Sequence, residues 1–377
     1  MSRERLVVLS CSAICAAMAV CPAAVADPPT LKDAFAGKFR IGAAVSTPQI
    51  MGQEPAALQL VAKQFNTITP ENLLKWAEIH PQPDEYNFAA ADRYLKFGEQ
   101  HQMFIIGHNL VWHNQTPPWV FEDGSGKPLR RDALLRRMRD HIHTVVGRYK
   151  GRINGWDVVN EAIDDDGSLR KSKWHDCIGD DYIEHAFQFA HEADPAAELY
   201  YNDYNEWQPQ KRRAINALVR RLKSKGIRID GIGLQGHWGL NYPSVREMEA
   251  MFDDYGKLGV KLMITELDVT ILPDAQHYRG ADITRTAALR GELNPFTTGL
   301  PPKMQQRLAE RYRQIFRVIV AHSDAVDRVT FWGVHDGQSW RNDWPIRGRT
   351  DYPLLFNRQL KPKPAFEAVI QTANLNR

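Results

Sequence analysis

The 377-residue sequence predicts an α/β fold, a single (β/α)8 TIM barrel following an N-terminal signal peptide, and three observations carry that prediction. Apolar, β-rich runs alternate with amphipathic helical runs eight times, which favours parallel pairing and, at eight units, closure into a barrel. Polar and aromatic residues gather where those runs end, and in a barrel all such ends share one face. Two of the ends are alike: Trp156-Asp-Val-Val-Asn-Glu-Ala162 delivers Asn160 and Glu161, and Lys261-Leu-Met-Ile-Thr-Glu-Leu-Asp-Val269 delivers Glu266.

Taken in order, residues 1–26 have a short basic start at Arg3 and Arg5, an apolar run from Leu6 to Val20, and Ala24-Val25-Ala26 before Asp27. This pattern marks a cleaved export signal, because the run is shorter than the roughly 20 residues a spanning helix needs. A lipid anchor on Cys11, Cys15 or Cys21 is the weaker alternative, since no convincing small-residue box precedes them. Residues 27–377 then form one catalytic domain, with no shift of composition to divide it. Strands are expected near 39–45, 65–69, 103–108, 153–160, 198–202, 231–235, 261–266 and 329–334. The clearest helices fall at 131–149, 182–193, 209–225, 245–258 and 302–323. The longest irregular stretch, 272–301, follows the strand that carries Glu266 and is expected to wall a substrate cleft.

Hydrophobic content of 43% and charged content of 25% indicate a soluble globular protein with ample core. Loss of the leader removes Arg3, Arg5 and Glu4, leaving 46 basic and 44 acidic residues. So even a balance argues against a nucleic-acid partner. The expectation is an exported monomer, periplasmic or extracellular, with no membrane attachment after cleavage. Cys177 alone remains of four cysteines, so no disulfide is available and the core must suffice. It reads as a packed thiol.

Several motifs point nowhere. Gly231-Ile-Gly233-Leu-Gln-Gly236 matches a dinucleotide fingerprint, but His237-Trp-Gly-Leu-Asn-Tyr-Pro243 cannot open the helix that motif requires. Its glycines instead let a strand approach its neighbours. His141 and His143 are two apart on a helix, face different ways, and cannot grip one ion. Asp164-Asp-Asp-Gly167 lacks calcium-loop spacing and reads as a solvated turn. No cofactor or metal is expected.

The strand ends are more informative. Glu71, Asn72, Lys75 and Trp76 follow the second run; His108, Trp112 and His113 the third; Asn160 and Glu161 the fourth. Asn202, Asp203, Tyr204 and Asn205 follow the fifth, Gln235 and His237 the sixth, Glu266 and Asp268 the seventh, and Trp332 and Trp340 the eighth. Indole faces with amides and acids suit a neutral, hydroxyl-covered ligand. A phosphorylated one would call for a glycine-rich loop or arginine cluster, and neither is visible. Two strand-end glutamates are the parts of a glycosidase.

These blocks resemble glycoside hydrolase family 10, the endo-1,4-β-xylanases. The likeness runs through Thr69-Pro-Glu-Asn-Leu-Leu-Lys-Trp76, Gly107-His-Asn-Leu-Val-Trp-His113, Trp156 to Ala162, Leu199-Tyr-Tyr-Asn-Asp-Tyr-Asn205, Gly233-Leu-Gln-Gly-His237, Ile264 to Val269 and Pro353-Leu-Leu-Phe356. The resemblance implies Glu161 as general acid/base and Glu266 as nucleophile of a retaining mechanism. Asn160 would bind the sugar 2-hydroxyl, with Lys75, His108, Gln235 and Trp332 around the same sugar, and Trp112 would also bind substrate. Glu71, Asn72, Gln115 and Trp340 would hold the next sugar on the non-reducing side, and Tyr204 would face the leaving group. His237 and Asp268 would orient Glu266. The charge on Glu266 is expected to raise the pKa of Glu161. Asn357 and Phe296 stand where the family more often has Asp and Tyr. Competing readings are a retaining β-mannanase or β-glucanase, against which Lys75, Gln235 and Trp340 argue, and a non-catalytic glycan-binding barrel, against which both glutamates argue.

Overall fold

A computed structural model describes residues 29–273 and 282–375, so the predicted leader lies outside the described residues, as do residues 274–281 of the irregular stretch. Eight parallel strands close on themselves: β1 (Arg40–Val45), β2 (Thr67–Pro70), β3 (Phe104–Val111), β4 (Gly155–Asn160), β5 (Glu198–Asp203), β6 (Gly231–Leu234), β8 (Lys261–Thr270) and β9 (Val326–Phe331). A short β7 (His237–Gly239) pairs only with β8. The ring runs from β1 through β6 in sequence, then β8 and β9 back to β1. Every expected strand is present, and the prediction of a (β/α)8 barrel holds.

The strands are buried along nearly their whole length, as parallel strands covered on both faces must be. Helices supply the outer cover through one apolar stripe each. In Arg131–Arg148 the buried positions Leu134, Met138, His141, Ile142, Val145 and Val146 recur at the helical period. Prolines begin the helices Pro55–Gln64, Pro209–Ser224, Pro302–Ala321 and Pro364–Thr372, where the lost N–H would have had no partner. Ser244 and Glu247 form a reciprocal capping box at the start of Val245–Gly256. The helices Pro55–Gln64, Phe88–Gln100 and Pro364–Thr372 complete the alternation.

Inside the barrel, small residues make room for large ones. A Cβ at Gly107 would lie 2.1 Å from the Trp156 ring, and one at Gly233 would lie 2.2 Å from Asn202 Oδ1. The Gly231–Gly236 run is therefore a strand and its turn, shaped by packing against side chains. His141 is buried, stacks on Trp76 at 3.6 Å and meets His80 through Nδ1 at 3.0 Å, while His143 lies 3.3 Å from Glu192. Cys177 is half-buried, its thiol donating to the Leu129 carbonyl at 3.0 Å. Among the described residues no helix is long and apolar enough to cross a membrane.

The described part of the irregular stretch docks on the loop after β9. Ala287 forms a parallel bridge with Ile346 and donates to the Pro345 carbonyl at 2.8 Å. Asn294 Oδ1 accepts from the Thr350 N–H, and the Tyr352 hydroxyl donates to the Phe296 carbonyl, each at 2.8 Å.

Candidate active site

Glu161 follows the last residue of β4 and Glu266 lies inside β8, short of its end; they are 7% and 5% exposed, so each carboxyl group needs built-in partners. Glu161 sits just past β4 with φ of 57°, the left-handed region that costs a non-glycine residue free energy unless its surroundings hold it. Its N–H donates to the Asn202 carbonyl at 2.9 Å. Its carboxylate accepts from Trp112 Nε1 at 2.9 Å and from Gln235 Nε2 at 3.0 Å. Glu266 lies within β8, where the register against β9 shifts between Ile264 and Leu267, and accepts from Asn202 Nδ2 at 2.8 Å and His237 Nε2 at 3.1 Å.

Sheet register brings the two acids into one network. Asn160 pairs with Asn202 across β4 and β5, and Asn202 with Gly233 across β5 and β6. The Asn202 amide reaches both Glu266 and Asn160 Oδ1, at 2.8 and 2.9 Å, while its own Oδ1 accepts from Thr265 Oγ1 at 2.6 Å. Gln235 Nε2 touches Glu161 and, at 3.3 Å, Asn160. A side chain at residue 233 would collide with Asn202 and disturb this chain at its centre.

Behind Glu266 the partners are charged. His237 Nδ1 lies 3.1 Å from Asp268 Oδ1, and Asp268 also accepts from Arg341 Nε and Trp340 Nε1, each at 2.7 Å. Burial pushes the His237 imidazole down, but the charges and hydrogen bonds of Asp268 and Glu266 outweigh it and lift the pKa to about 9. His237 is thus an imidazolium at neutral pH. Burial pushes Asp268 up, while Arg341 and His237 hold it below its ordinary value.

The pKa of Glu161 departs from the sequence expectation. Burial raises it, but the charge of His113, the hydrogen bonds from Gln235 and Trp112, and the charge of Arg170 together hold it below the usual value. The reason is local: donors and cations around this carboxylate outweigh burial, and the charge of Glu266 is not among the leading influences. Burial also lowers Lys75, against the pull of Glu266, Glu71 and Glu161, and raises Glu71.

The remaining predicted residues line the same mouth. Lys75 donates to Asn72 Oδ1 at 3.0 Å and Gln115 Oε1 at 2.9 Å and lies over the Trp112 ring; Gln115 also donates to Asn72. Glu71 accepts from Gln338 at 3.4 Å. His108 Nδ1 is 2.9 Å from Asp157, and Trp332 packs edge-on against both His108 and His237. Trp340 stacks on Trp344 and meets His237 at a tilt. Tyr204 is tied in through Arg170, which donates to its hydroxyl at 3.1 Å. Sequence reading placed Asn202 at a strand end without giving it a role, and passed over Asp157, Arg170 and Arg341. Their partners lie 42 to 73 residues away in three of the four cases, so only register could reveal them. Among the described residues no group of three or more His, Cys, Asp or Glu side chains could hold a metal ion.

A closed parallel barrel whose mouth holds two buried glutamates among amides and indoles defines a (β/α)8 glycoside hydrolase. The model of Glycosyl hydrolase family 10 matches residues 30–372, and the chain belongs to that family. Endo-1,4-beta-xylanase A of Xylanibacter ruminicola is 45% identical over 93% of this chain and 95% of its own length. An endo-1,4-beta-xylanase of Geobacillus stearothermophilus is 44% identical over 91% of this chain and 98% of its own. Among solved structures, a GH10 endoxylanase retrieved from a sugarcane soil metagenome superposes with a TM-score of 0.87 at 45% identity, covering 92% of this chain and 99% of that one. Xylanase XynB of Paenibacillus barcinonensis, complexed with a conduramine derivative, gives 0.82 at 41% identity, covering 92% and 99%.

Proposed function

We propose that this chain is an exported endo-1,4-β-xylanase that cleaves internal β-1,4-xylosidic bonds of xylan with retention of anomeric configuration, acting as a monomer. The observation that carries this reading is the pair of buried glutamates on β4 and β8, bridged by Asn160, Asn202 and Gln235, in a member of glycosyl hydrolase family 10. The residue roles are those the family resemblance implies. Glu266, paired with the His237 cation, attacks the anomeric carbon as the bond to the leaving sugar breaks, and Glu161 gives its proton to the departing oxygen. Water then enters, Glu161 takes its proton, and the bond from the sugar to Glu266 breaks. In the free protein Glu161 is held toward its ionised form. A sugar filling the mouth excludes water, adding to the burial that favours the protonated acid.

Asn160 binds the 2-hydroxyl of the sugar under attack, whose remaining hydroxyls and ring meet Lys75, His108, Gln235 and Trp332, and Trp112 also contacts substrate. Glu71, Asn72, Gln115 and Trp340 take the next sugar, and Tyr204 faces the leaving group. His237 and Asp268 keep Glu266 oriented. Export is supported by the leader pattern of residues 1–26.

The test compares reducing-sugar release from xylan, mannan and barley glucan side by side, with the first-formed anomer followed by NMR. The expected result is activity confined largely to xylan with a β-configured first product. Preference for mannan or glucan, or an α-configured first product, would overturn the reading.

A further inference from the structure

Arg170 binds the turn that carries Glu161 at several points. Its Nε donates to the Glu161 carbonyl at 2.8 Å, its Nη2 to the Tyr204 hydroxyl at 3.1 Å and weakly to the Ile163 carbonyl at 3.5 Å. Its Nη1 pairs with Asp164 at 2.6 Å, and its own N–H donates to the Ala162 carbonyl at 2.8 Å. The side chain is 14% exposed, and it lines one narrow cavity together with Glu161, Trp112 and His113. We propose that Arg170 is a positioning residue for proton transfer: it clamps the left-handed backbone at Glu161 and the Tyr204 hydroxyl in one arrangement, aiming the carboxyl at the departing oxygen. This inference rests on Glu161 being the general acid/base.

The physical case has two parts. A glutamate at φ of 57° relaxes toward ordinary backbone unless it is over-determined. Beyond the Glu161 N–H bond to Asn202, it is the Arg170 guanidinium that fixes the carbonyl side of that peptide. A planar guanidinium can also reach three acceptors in fixed directions, which a lysine cannot do. The second part is charge. Groups acting on the Glu161 carboxyl are Arg170 and His113, with Lys75 from the loop after β2 and Asp203 and Tyr204 from the end of β5; Glu266 is linked through Asn202. Removing Arg170 deletes one cation from this set and should favour the protonated acid.

A defect in aiming an acid has a signature that general loosening lacks, because a leaving group that departs as a stable anion needs no proton. The experiment measures kcat/KM for the full-length wild type, Arg170→Met, Arg170→Lys and Glu161→Ala on xylotetraose and on 2,4-dinitrophenyl β-xylobioside. For Arg170→Met we expect a loss on the order of a hundredfold on xylotetraose and less than about fivefold on the aryl substrate, with the basic limb of the pH profile moved upward. Arg170→Lys should fall between and carries the same comparison should the methionine variant fail to fold. Equal losses on both substrates for the Arg170 variants, or a basic limb unmoved or moved downward, would overturn the inference. Glu161→Ala separates the two layers: if it too loses both substrates equally, the assignment of Glu161 fails, whereas selective loss there with equal loss in the Arg170 variants removes only Arg170.

Discussion

The two glutamates differ in how they are held. Glu266 stands in a ten-residue strand and is backed by the charged series His237, Asp268 and Arg341. Glu161 stands beyond the end of a six-residue strand in a left-handed turn, with neutral donors from Trp112 and Gln235 on its carboxylate and Arg170 on its carbonyl. In the proposed roles a nucleophile must be held still, which buried opposite charges do, whereas a group that gives and takes a proton within one turnover needs both states accessible. Neutral donors sit on the Glu161 carboxylate itself, and the cations His113 and Arg170 also act on it.

The comparison breaks first at the acids themselves. Glu266→Ala should lower kcat on xylan by roughly 10⁴-fold or more. Added azide should then yield a glycosyl azide of inverted configuration, whereas Glu161→Ala with azide and an activated substrate should yield the retained one; the same anomer from both would erase the distinction. Next comes the charged backing. His237→Asn should cost about 10- to 100-fold in kcat/KM, because Glu266 loses one of the two side-chain donors that hold its carboxylate. An unchanged kcat/KM would mean that His237 only packs.

A smaller effect is expected at Trp340, which we propose as the residue that crowds the position a hexose hydroxymethyl would need. Trp340→Ala should cost on the order of tenfold on xylan and relax discrimination against glucosides, measured as the ratio of kcat/KM values on aryl xylobioside and cellobioside. Since Trp340 also donates to Asp268, Trp340→Phe should keep the selectivity while losing part of the rate. The smallest effect is on stability. His237 is raised from 6.5 to about 9 in the folded protein, so its contribution is complete below pH 6.5 and is lost as pH rises toward 9. The contribution is at most about 3 kcal/mol, and it predicts a fall in Tm of a few degrees across that window that is absent in His237→Asn. Equal falls in both proteins would place the lost charge elsewhere.

All eight barrel strands could be read from the sequence because a strand buried on both faces writes an uninterrupted apolar run. Five helices could be read from their stripes. Phe88–Gln100 was not singled out, although its buried Ala91, Tyr94, Leu95 and Gly98 have helical spacing, because two of those four positions are small and make a faint stripe. The site's identity rested on residues that end strands, and barrel closure supplied their convergence. Asn202, Arg170 and Arg341 acquire their roles through partners set by register and loop course, which no local pattern encodes. The reversal at Glu161 has the same origin, since His113, Gln235 and Arg170 all act on one carboxylate from different segments.

The segment 282–301 and the loop bearing Trp340 and Trp344 are joined by backbone and side-chain bonds at Ala287, Asn294 and Phe296. Anyone exchanging loops between related enzymes to alter substrate preference would therefore be handling one cassette. Transplanting either half alone would leave the Pro345 and Phe296 carbonyls and the Thr350 amide without their counterparts, and the tryptophan platform would shift even though no residue within it had been changed.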